Sequence, residues 1–442
     1  MRLAAGMLVA SFCAQLAWAG IPIQYWTQPS GVKVYLVQSP GIPMVDVQID
    51  FDAGGRRDPP EQIGLASVTA SMASRGVAAD GTAPALDENG LSEAWADLGA
   101  SFAASAGSDR MSFSLRSLTY PDLLPKAVQL AARQLGRPSF PADIWRRERE
   151  RVAAGLRESG TRPATVAARA FSAAVFGQHP YGFEVTEATL ARIEVSDMQR
   201  VYTSLITPCR AKVSIVGALA RAQADELVAL LFARLAAGAC TPLAAVAEVE
   251  ALAAAREIRI PFESAQAHVL IGQPGIRRSD PDFFAITVGN YILGGGGFVS
   301  RLSEEVRQKR GLSYSVYSFF SPGLHAGAFT VGLQTRPDQA TQAVAVSREV
   351  LARFVLDGPT AAELESAKSN LVGGFALQID SNRKLLGSVA NIAWNNLALD
   401  YLDTWTQQVQ KVTVEDIRNA FARRLQPQSM VTVVVGAAAL AN

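Results

Sequence analysis

An arginine and a tyrosine, Arg307 and Tyr314, stand seven residues apart in the second half of this chain. Around them the pattern predicts a short helix with Ser300 as its N-cap and Gly311 just beyond its C-terminus, followed by a strand that starts near Tyr314. Arg307 then lies in the last helical turn, so that a positive charge and a phenol hydrogen-bond donor meet at one corner. On spacing alone, Arg307 could equally pair with Glu304 one turn earlier, and Tyr314 could be an ordinary strand aromatic.

Four consecutive glycines precede this predicted helix: Gly294, Gly295, Gly296 and Gly297. Without side chains they allow backbone conformations and close approaches that other residues forbid. The run lacks the Gly-Lys-Ser/Thr that completes a phosphate-binding loop, so the pattern does not favour a nucleotide site. Taken by itself, the run indicates a helix-entry loop.

Composition and charge describe a globular chain with almost no net charge. Of 442 residues, 49% are hydrophobic and 18% are charged, with a formal net charge of +1. A nucleic-acid-binding protein needs a basic surface, which this balance does not supply. The length exceeds what one hydrophobic core usually supports, so two or more domains are expected.

The N-terminus has the pattern of a secretory signal peptide. Arg2 precedes an apolar run that ends in a small-x-small cleavage site, Ala-Trp-Ala, at residues 17–19. We therefore predict that residues 1–19 are removed and that the mature chain is periplasmic or secreted.

The cysteines leave two interpretations open. Cys13 belongs to the predicted signal peptide, so the mature chain would keep Cys209 and Cys240. In an oxidising compartment these two could form a disulfide bond. They could equally be two buried thiols, because spacing along the chain does not determine their distance in space.

The chain contains an internal repeat. Ile193 to Ala218 aligns without a gap with Val412 to Ala437 at an offset of 219, so that Asp197 meets Asp416. Each copy has the pattern of an N-capped helix, a proline-marked turn and a strand that ends in glycine. Such a repeat indicates one folding unit that occurs twice.

The upstream parts of the two units also correspond. Gly99 falls opposite Gly311, and Phe102 opposite Tyr314, at an offset of 212. Two tandem copies of one α+β unit of roughly 200 residues explain the length better than two unrelated domains. The predicted division is a signal peptide at 1–19, a first α+β domain at 20–239, a linker at 240–255 and a second α+β domain at 256–442.

Four stretches, taken in their order and spacing, carry a resemblance to a known family: FDAGGRRDPPEQIGLASVTASMASRG, GQHPYGFEVTEATLARI, LGGGGFVSRLSEEVRQKRGLSYSVYS and GPTAAELESAKSNLVGGF. Together they make the chain resemble the pitrilysin/insulinase family of zinc metallopeptidases, more closely its bacterial and mitochondrial-processing branch. The resemblance implies an α+β fold of two homologous domains, each a mostly antiparallel sheet packed with helices. The two domains would face each other across a chamber that admits unfolded peptides.

The resemblance fails at the metal-binding motif. Active members carry His-x-x-Glu-His directly after a Gly-Leu-Ala, with two histidines that hold zinc and a glutamate that acts as general base. The matching positions here are Ser67, Ala70 and Ser71, which supply neither ligands nor a base. Glu148, or Arg147 in a shifted alignment, falls near the family's third ligand, and a lone carboxylate is not a metal site. We therefore expect no metal ion in this chain.

The histidines do not replace the lost motif. The sequence contains only His179, His268 and His325, and no two of them are spaced to share a helical turn. His179 lies in a His-Pro-Tyr-Gly sequence that resembles a packing signature of the family, which implies a structural role. No serine lies in a Gly-x-Ser-x-Gly elbow, so a serine hydrolase is not indicated either.

The resemblance does extend to another part of the family's machinery. Arg307 and Tyr314 match the arginine–tyrosine pair that active members supply from their second half. In that family the phenol donates a hydrogen bond to the scissile carbonyl oxygen as it becomes an oxyanion, and the arginine helps to hold the substrate. The glycine run at 294–297 resembles a shorter form of the loop that the non-catalytic processing-peptidase subunit uses in substrate binding.

These features imply a non-catalytic subunit of an exported heterodimeric zinc peptidase. A homologous partner chain with an intact His-x-x-Glu-His would bind zinc, and Arg307 and Tyr314 would act in trans on unfolded peptide substrates. The alternative is a catalytically inactive peptide-binding or scaffold protein of the same fold.

Overall fold

The structure is a computed structural model that describes residues 20–81, 83–236 and 240–436. The predicted signal peptide lies outside the described residues. Within these ranges the chain forms two sheets covered by helices, which is the α+β fold of two similar units that the sequence predicts. No helix in the described ranges is long and apolar enough to cross a membrane.

The first sheet has six strands in the order β1-β2-β6-β3-β5-β4. These strands are β1 (Gln24–Thr27), β2 (Lys33–Gln38), β3 (Met44–Phe51), β4 (Ser101–Ala106), β5 (Met111–Leu118) and β6 (Lys212–Gly217). In β5, MSFSLRSL, every second residue is apolar and buried, because successive side chains of a strand point to opposite faces. Neighbouring strands are antiparallel except β2 and β6, which run parallel.

The second sheet has five strands in the order β7-β11-β8-β10-β9. These are β7 (Arg256–Ile260), β8 (Ala267–Pro274), β9 (Ser315–Phe320), β10 (Ala328–Thr335) and β11 (Val431–Val435). Strand by strand this order repeats β2-β6-β3-β5-β4, and β7 and β11 are again the parallel pair. The repeat in the sequence is therefore also a repeat of the fold.

Helices cover both sheets. In the first half they are α1 (Leu65–Met72), α2 (Glu88–Asp97), α3 (Leu124–Gly136), α4 (Ala142–Gly160), α5 (Pro163–Phe176), α6 (Glu187–Ala191), α7 (Val195–Leu205) and α8 (Arg221–Phe232). In the second half they are α9 (Phe283–Asn290), α10 (Ala340–Asp357), α11 (Ala361–Gly374), α12 (Asn382–Asn395), α13 (Tyr401–Lys411) and α14 (Val414–Arg424). Thr360 and Thr413 are the N-caps of α11 and α14, and both form capping boxes. In each box the threonine side chain accepts the backbone N–H of the third helical residue, and the side chain of that residue accepts the backbone N–H of the threonine.

Two equivalent helices are exchanged between the halves. α5 belongs to the first half in sequence, but its Phe171 packs in one apolar cluster with Val433 of the second sheet. α12 belongs to the second half, and its Val389 and Ile392 pack in one cluster with Val216 of the first sheet. Separating the halves would expose both clusters to water, so burial of apolar surface holds the halves together.

Lys212 of β6 fastens the C-terminal end of α12 to the first sheet. Its Nζ donates to the carbonyl oxygens of Ala393 and Trp394 at 2.8 and 2.9 Å and to Oδ1 of Asn396 at 2.9 Å. The last carbonyls of a helix lack partners within the helix, and a cation is favourable there. Burial lowers the pKa of Lys212 to about 8.

The predicted linker, residues 240–255, has no helix or strand in the structure and contacts both halves. Nη1 of Arg57 donates to the carbonyl oxygen of Ala244 at 2.9 Å, which ties the segment to the first half. Oε1 of Glu248 accepts from the N–H of Ala326 at 3.0 Å, which ties it to the second half.

A disulfide bond anchors the start of this segment. Cys240 is joined to Cys209, which lies just before β6, with a Cα–Cα distance of 6.1 Å. This distance is ordinary for a disulfide. Of the two alternatives that the sequence leaves open, the structure contains the disulfide.

Candidate functional site

The corner that carries the arginine–tyrosine pair is formed by the end of a π-helix. This helix runs over Ser303–Gln308, and such widened turns occur frequently at functional sites. Gly311 has a φ of +62°, and its N–H bonds to the carbonyl of Arg307 while the N–H of Leu312 bonds to the carbonyl of Val306, both at 2.9 Å. The bond from Gly311 to Arg307 is that of an αL C-cap, so the predicted helix end at Gly311 is confirmed.

The guanidinium of Arg307 lies between two aromatic rings. Its Cζ is 4.3 Å from the ring centroid of Phe298 and 4.7 Å from that of Tyr314. Each such cation–π contact contributes about 0.5–1 kcal/mol at an exposed site. These two contacts therefore hold the guanidinium of Arg307 beside the phenol of Tyr314.

Tyr314 lies outside the strand that follows it. β9 begins only at Ser315, and the side chain of Tyr314 is 81% exposed, whereas that of Val316 is buried. The strand therefore begins one residue after Tyr314, close to its predicted start, but Tyr314 does not share a face with Val316 as an alternating pattern would require. Because the residue precedes the strand, the alternation of faces does not apply to it and its phenol reaches the surface.

The alignment of Phe102 with Tyr314 is also wrong. One residue separates Gly99 from β4, whereas three separate Gly311 from β9. Phe102 therefore lies inside β4, where it is buried and stacks on Trp95 with 6.0 Å between ring centroids. The longer connection in the second half is what brings a phenol out of the sheet.

Arg307 has no carboxylate partner in the part of the chain that the structure describes. Glu304, the partner that spacing alone allows, pairs with Nζ of Lys309 at 2.9 Å. Glu305 pairs with the same lysine at 2.7 Å and with Nη1 of Arg310 at 2.5 Å. The positive charge of Arg307 is therefore not neutralised by its helix.

The arginine–tyrosine pair lines a cavity of about 530 Å³, which we call the site cleft. Gly294, Gly295 and Gly297 contribute to one wall, and the residues from Tyr314 to Phe319 form the other. Gly296 lies outside the lining. The structure thus brings together every residue that the sequence proposes for the site except Gly296.

The glycines are needed for local reasons as well. A Cβ at Gly294 would lie 2.5 Å from the backbone nitrogen of Ser318, and one at Gly296 would lie 2.7 Å from the carbonyl oxygen of Tyr291. Gly297 has a φ of +64°, which other residues adopt only with strain. The run is therefore a helix-entry segment that packs tightly against β9, and the same packing makes it a wall of the site cleft.

In the first half, α1 stands where the zinc motif of the family would be. Ser67 is exposed, Ala70 is only 1% exposed within the core, and Ser71 is half-buried. The carboxylate of Asp58 caps the N-terminus of α1. It accepts the backbone N–H groups of Gly64 and Ala66 at 2.8 and 2.9 Å. Burial raises the pKa of Asp58 to about 6 although these donors favour its charged form.

The remaining ligand candidate is already paired. The carboxylate of Glu148 lies 2.6 Å from Nη2 of Arg151 and 3.3 Å from Nη2 of Arg75. The hydrogen bond from Arg151 and the charge of Arg75 lower the pKa of Glu148. Across residues 20–81, 83–236 and 240–436, no three His, Cys, Asp or Glu side chains are grouped to hold a metal ion. The residues present do not fit zinc.

Two histidines join the halves instead of binding metal. His179 accepts the N–H of Tyr181 at 3.1 Å, and its ring centroid lies 5.1 Å from that of His325. The hydroxyl of Tyr181 donates to Asp109 at 2.6 Å and accepts from the N–H of His325 at 3.2 Å. Burial and the neighbouring imidazole lower the pKa of His179. The His-Pro-Tyr-Gly sequence is therefore a packing element, as predicted.

Sequence reasoning missed three aromatic residues at the site cleft. Phe298, Tyr317 and Phe319 are 65%, 43% and 40% exposed, and the last two stack with 5.9 Å between ring centroids. In β9, SVYSFF, the buried alternate positions hold Val316 and Ser318 while Tyr317 and Phe319 face outward. For Tyr317 and Phe319, aromatic residues on the outward face of a strand were the available signal, whereas Phe298 follows the glycine run and gave no such signal.

Comparison with known families identifies the family of this chain. A family model described as Insulinase (Peptidase family M16) matches residues 33–189, and one described as Peptidase M16 inactive domain matches residues 192–371. The chain belongs to peptidase family M16, the insulinase/pitrilysin family, so the resemblance seen in the sequence is confirmed.

Individual relatives include proteins named as proteases and as non-peptidases. An uncharacterized zinc protease of Mycobacterium bovis is 30% identical over 321 residues, which cover 71% of this chain and 72% of the relative. A non-peptidase homolog of Helicobacter pylori is 34% identical over 161 residues, 36% of each chain. The crystal structure of a peptidase M16 inactive domain from Pseudomonas fluorescens superposes with a TM-score of 0.88 and 32% identity, covering 94% of this chain and 98% of that one. This chain is thus an M16-type protein without the peptidase motif of its own.

Proposed function

We propose that this chain is the non-catalytic subunit of an exported heterodimeric zinc peptidase. A homologous partner chain with an intact His-x-x-Glu-His would hold the zinc ion, and this chain would present Arg307 and Tyr314 to a bound, unfolded peptide. The phenol would donate a hydrogen bond to the scissile carbonyl oxygen as negative charge develops there, and the guanidinium would hold the peptide beside it. The observation that carries the proposal is the exposed, paired placement of these two groups in the site cleft.

The chemical state of the pair supports this role. An oxyanion donor must reach the substrate, and the phenol of Tyr314 is 81% exposed at the cleft wall. The guanidinium of Arg307 is held against that phenol, and no carboxylate of the described chain neutralises it. The cleft volume of about 530 Å³ falls within the roughly 300–1,000 Å³ of typical binding pockets. The glycine run at 294–297 would bring the backbone of this chain close to the peptide.

The contacts between the halves support the need for a second chain. The exchanged helices α5 and α12 fill the space between the two sheets with shared apolar clusters. A cavity of about 520 Å³ lies where the halves meet. Because Ser67, Ala70 and Ser71 supply no zinc ligands, the other half of the active site would come from a second chain.

The disulfide bond supports export. Disulfide bonds form and persist in oxidising compartments such as the periplasm and the extracellular space. Cys209 and Cys240 are joined in the structure, and the N-terminal sequence has the pattern of a signal peptide. We infer that the mature chain begins near Gly20 and acts outside the cytoplasm.

The decisive experiment reconstitutes peptide cleavage from this chain and an exported homologue that carries the intact motif. Tyr314→Phe should lower kcat by roughly 100- to 1,000-fold, the cost of removing one oxyanion donor, and should leave KM nearly unchanged. Tyr120→Phe, at another exposed tyrosine of this chain, is the matched control and should change neither constant. Full activity of the Tyr314→Phe pair would refute a catalytic contribution from this chain.

A second candidate function is peptide binding without hydrolysis. The exposed aromatic rings of Phe298, Tyr317 and Phe319 offer more apolar surface than an oxyanion donor requires, which favours a binding role of some kind. A scaffold or peptide-binding protein would bind unfolded peptides by itself and would not promote cleavage by any zinc-bearing homologue. The reconstitution experiment distinguishes the two functions.

A further inference from the structure

A second cavity lies where the two halves meet, and we call it the junction cavity. It measures about 520 Å³. Its walls come from both exchanged helices, with Phe171 and Phe176 on α5 and Trp394 on α12, and from the segment after β9, with Pro322. The cavity is therefore concave, carries aromatic rings beside serine, threonine and asparagine side chains, and is built from parts that the interlocked halves hold in place.

The charged groups of the junction cavity are already satisfied. Asp109 accepts hydrogen bonds from the hydroxyl of Tyr181 at 2.6 Å and from Nε of Arg56 at 3.0 Å. Nη1 of Arg110 donates to Asp50 at 3.1 Å. A charged guest would find no unpaired opposite charge here, so the lining favours an uncharged, apolar group.

The indole ring of Trp394 is held in the cavity wall by two cations. Cζ of Arg110 and Nζ of Lys212 each lie 5.6 Å from the ring centroid. The ring therefore contributes a fixed aromatic surface to the junction cavity.

Phe319 lies between the junction cavity and the site cleft, because it lines both. The site cleft follows the chain from Tyr314 to Phe319, and the junction cavity continues at Pro322 and Gly323. Tyr314 and Phe319 are five residues apart along the chain. An extended peptide that lies beside β9 advances about 3.3 Å per residue, as the strand does, so it also needs about five residues to cover this distance.

We propose that the junction cavity is a specificity subsite for a bulky apolar side chain of the substrate, about five residues along the peptide from the bond beside Tyr314. The proposal rests on the proposed function and adds a substrate class to it: unfolded peptides with a phenylalanine or similar side chain at that distance.

Binding to the isolated chain tests the subsite without a partner. The probes are short fluorescent peptides of alanine, serine and glycine that carry a single phenylalanine, aspartate or additional alanine near one end. The phenylalanine peptide should bind roughly 10-fold more tightly than the alanine peptide, because it buries a ring, and the aspartate peptide should gain nothing. Equal affinities for the three peptides would overturn the proposal.

A variant that fills the junction cavity tests whether the preference for phenylalanine arises there. Asn391 lines the junction cavity on α12 and is exposed, so Asn391→Trp should fill the opening and remove the preference for phenylalanine. Asn370→Trp, at an exposed position of α11, is the matched control and should keep the preference. Thermal unfolding of both variants verifies that each remains folded. A preference that survives in Asn391→Trp would place the phenylalanine elsewhere and overturn the proposal.

Cleavage by the reconstituted pair separates this proposal from the proposed function. When the phenylalanine is moved along the peptide, the cleaved bond should move with it and stay about five residues away, as mass spectrometry of the products would show. Cleavage at bonds that ignore the phenylalanine would overturn the subsite and leave the proposed function intact. Phenylalanine-dependent binding without any cleavage would support the subsite and refute the proposed function.

Discussion

The two halves of this protein have one fold and present different surfaces at the equivalent strand. The edge strand β4 of the first sheet reads SFAASA and exposes serine and alanine. The equivalent edge strand β9 of the second sheet reads SVYSFF and exposes Tyr317 and Phe319 next to Tyr314. The shared strand order shows that the core preserves the fold, while the residues at the strand edges are free to keep or lose chemistry.

The halves also differ in whether the residues at their candidate sites are buried in the core or exposed to solvent. In the first half, the position of the family's general base is Ala70, which now fills the core. In the second half, Phe298 and Tyr314 expose large aromatic surfaces that the core does not use. A half that has lost a function can gain packing at that position, whereas exposed aromatics without a packing role indicate a binding surface.

The largest expected effect tests whether the two halves are one cooperative unit. Phe171→Ala on α5 should lower the free energy of unfolding by about 3–5 kcal/mol and Ile392→Ala on α12 by about 2–5 kcal/mol, since each creates a cavity in a cluster shared by both halves. Leu356→Ala, at a residue that is 75% exposed on α10, should cost less than about 0.5 kcal/mol.

Chemical denaturation followed by circular dichroism and by tryptophan fluorescence measures these values. In each of the three variants, the two probes should report a single transition with the same midpoint denaturant concentration. The midpoint itself should differ between variants. Two separated transitions would mean that the halves unfold independently and that the exchanged helices do not couple them.

A change of intermediate size tests whether the first half has converted its catalytic position into core. Ala70→Glu should lower the free energy of unfolding by about 3 kcal/mol, because it buries a carboxylate that has no partner. Ser67→Glu on the same helix should change it by less than about 0.5 kcal/mol, because Ser67 is exposed. Equal unfolding energies for the two variants would show that α1 still tolerates a general base.

A smaller effect compares the equivalent glycines of the halves. Gly99 and Gly311 have φ values of +55° and +62°, and a Cβ at either position would meet no atom within 4 Å. Gly99→Ala and Gly311→Ala should therefore each cost about 1 kcal/mol, from backbone strain alone, in a denaturation experiment. Only Gly311→Ala should also lower peptide cleavage by the reconstituted pair, because Arg307 and Tyr314 flank that turn. Equal losses of activity would contradict the assignment of the site to the second half.

The last comparison concerns the aspartates that precede the first helix of each half, whose contributions to stability should change with pH in opposite directions. Burial raises the pKa of Asp58, before α1, to about 6. Burial also opposes ionisation of Asp282, before α9, but hydrogen bonds and charge from Arg423 and Arg424 outweigh it and lower the pKa of Asp282. The contribution of Asp58 to stability is therefore complete below its ordinary pKa of 3.8 and lost as the pH rises through about 6. That of Asp282 is present above 3.8 and lost as the pH falls below that value.

Paired aspartate-to-asparagine variants measure these signs. Raising the pH from about 4 to about 7 should destabilise the unmodified protein relative to Asp58→Asn, whereas lowering it below about 4 should destabilise the protein relative to Asp282→Asn. The same direction of change in both pairs would show that the two helix starts do not differ in charge environment.

Local signals predicted much of the fold and part of the site. The repeat at residues 193–218 and 412–437 appears in the structure as equivalent helix–strand units, and Gly311 ends its helix as expected. The strand predicted to start near Tyr314 begins at Ser315, but the exposure of Tyr314 was not predicted, because an alternating pattern does not show at which residue a strand begins. The exchange of α5 and α12 was not predicted either, since an apolar helix face does not specify which of two similar sheets it covers.

The sequence by itself determined that this chain has no His-x-x-Glu-His, that its fold unit occurs twice, and that Arg307 and Tyr314 lie on either side of a helix end. These properties depend on residue identity and on neighbours within a few turns of the chain. Only the tertiary structure decided that Arg307 lies between two rings, that Cys209 bonds to Cys240, and that the halves share two helices. Those contacts join residues far apart in sequence, and packing in three dimensions selects them from many alternatives that local patterns leave equal.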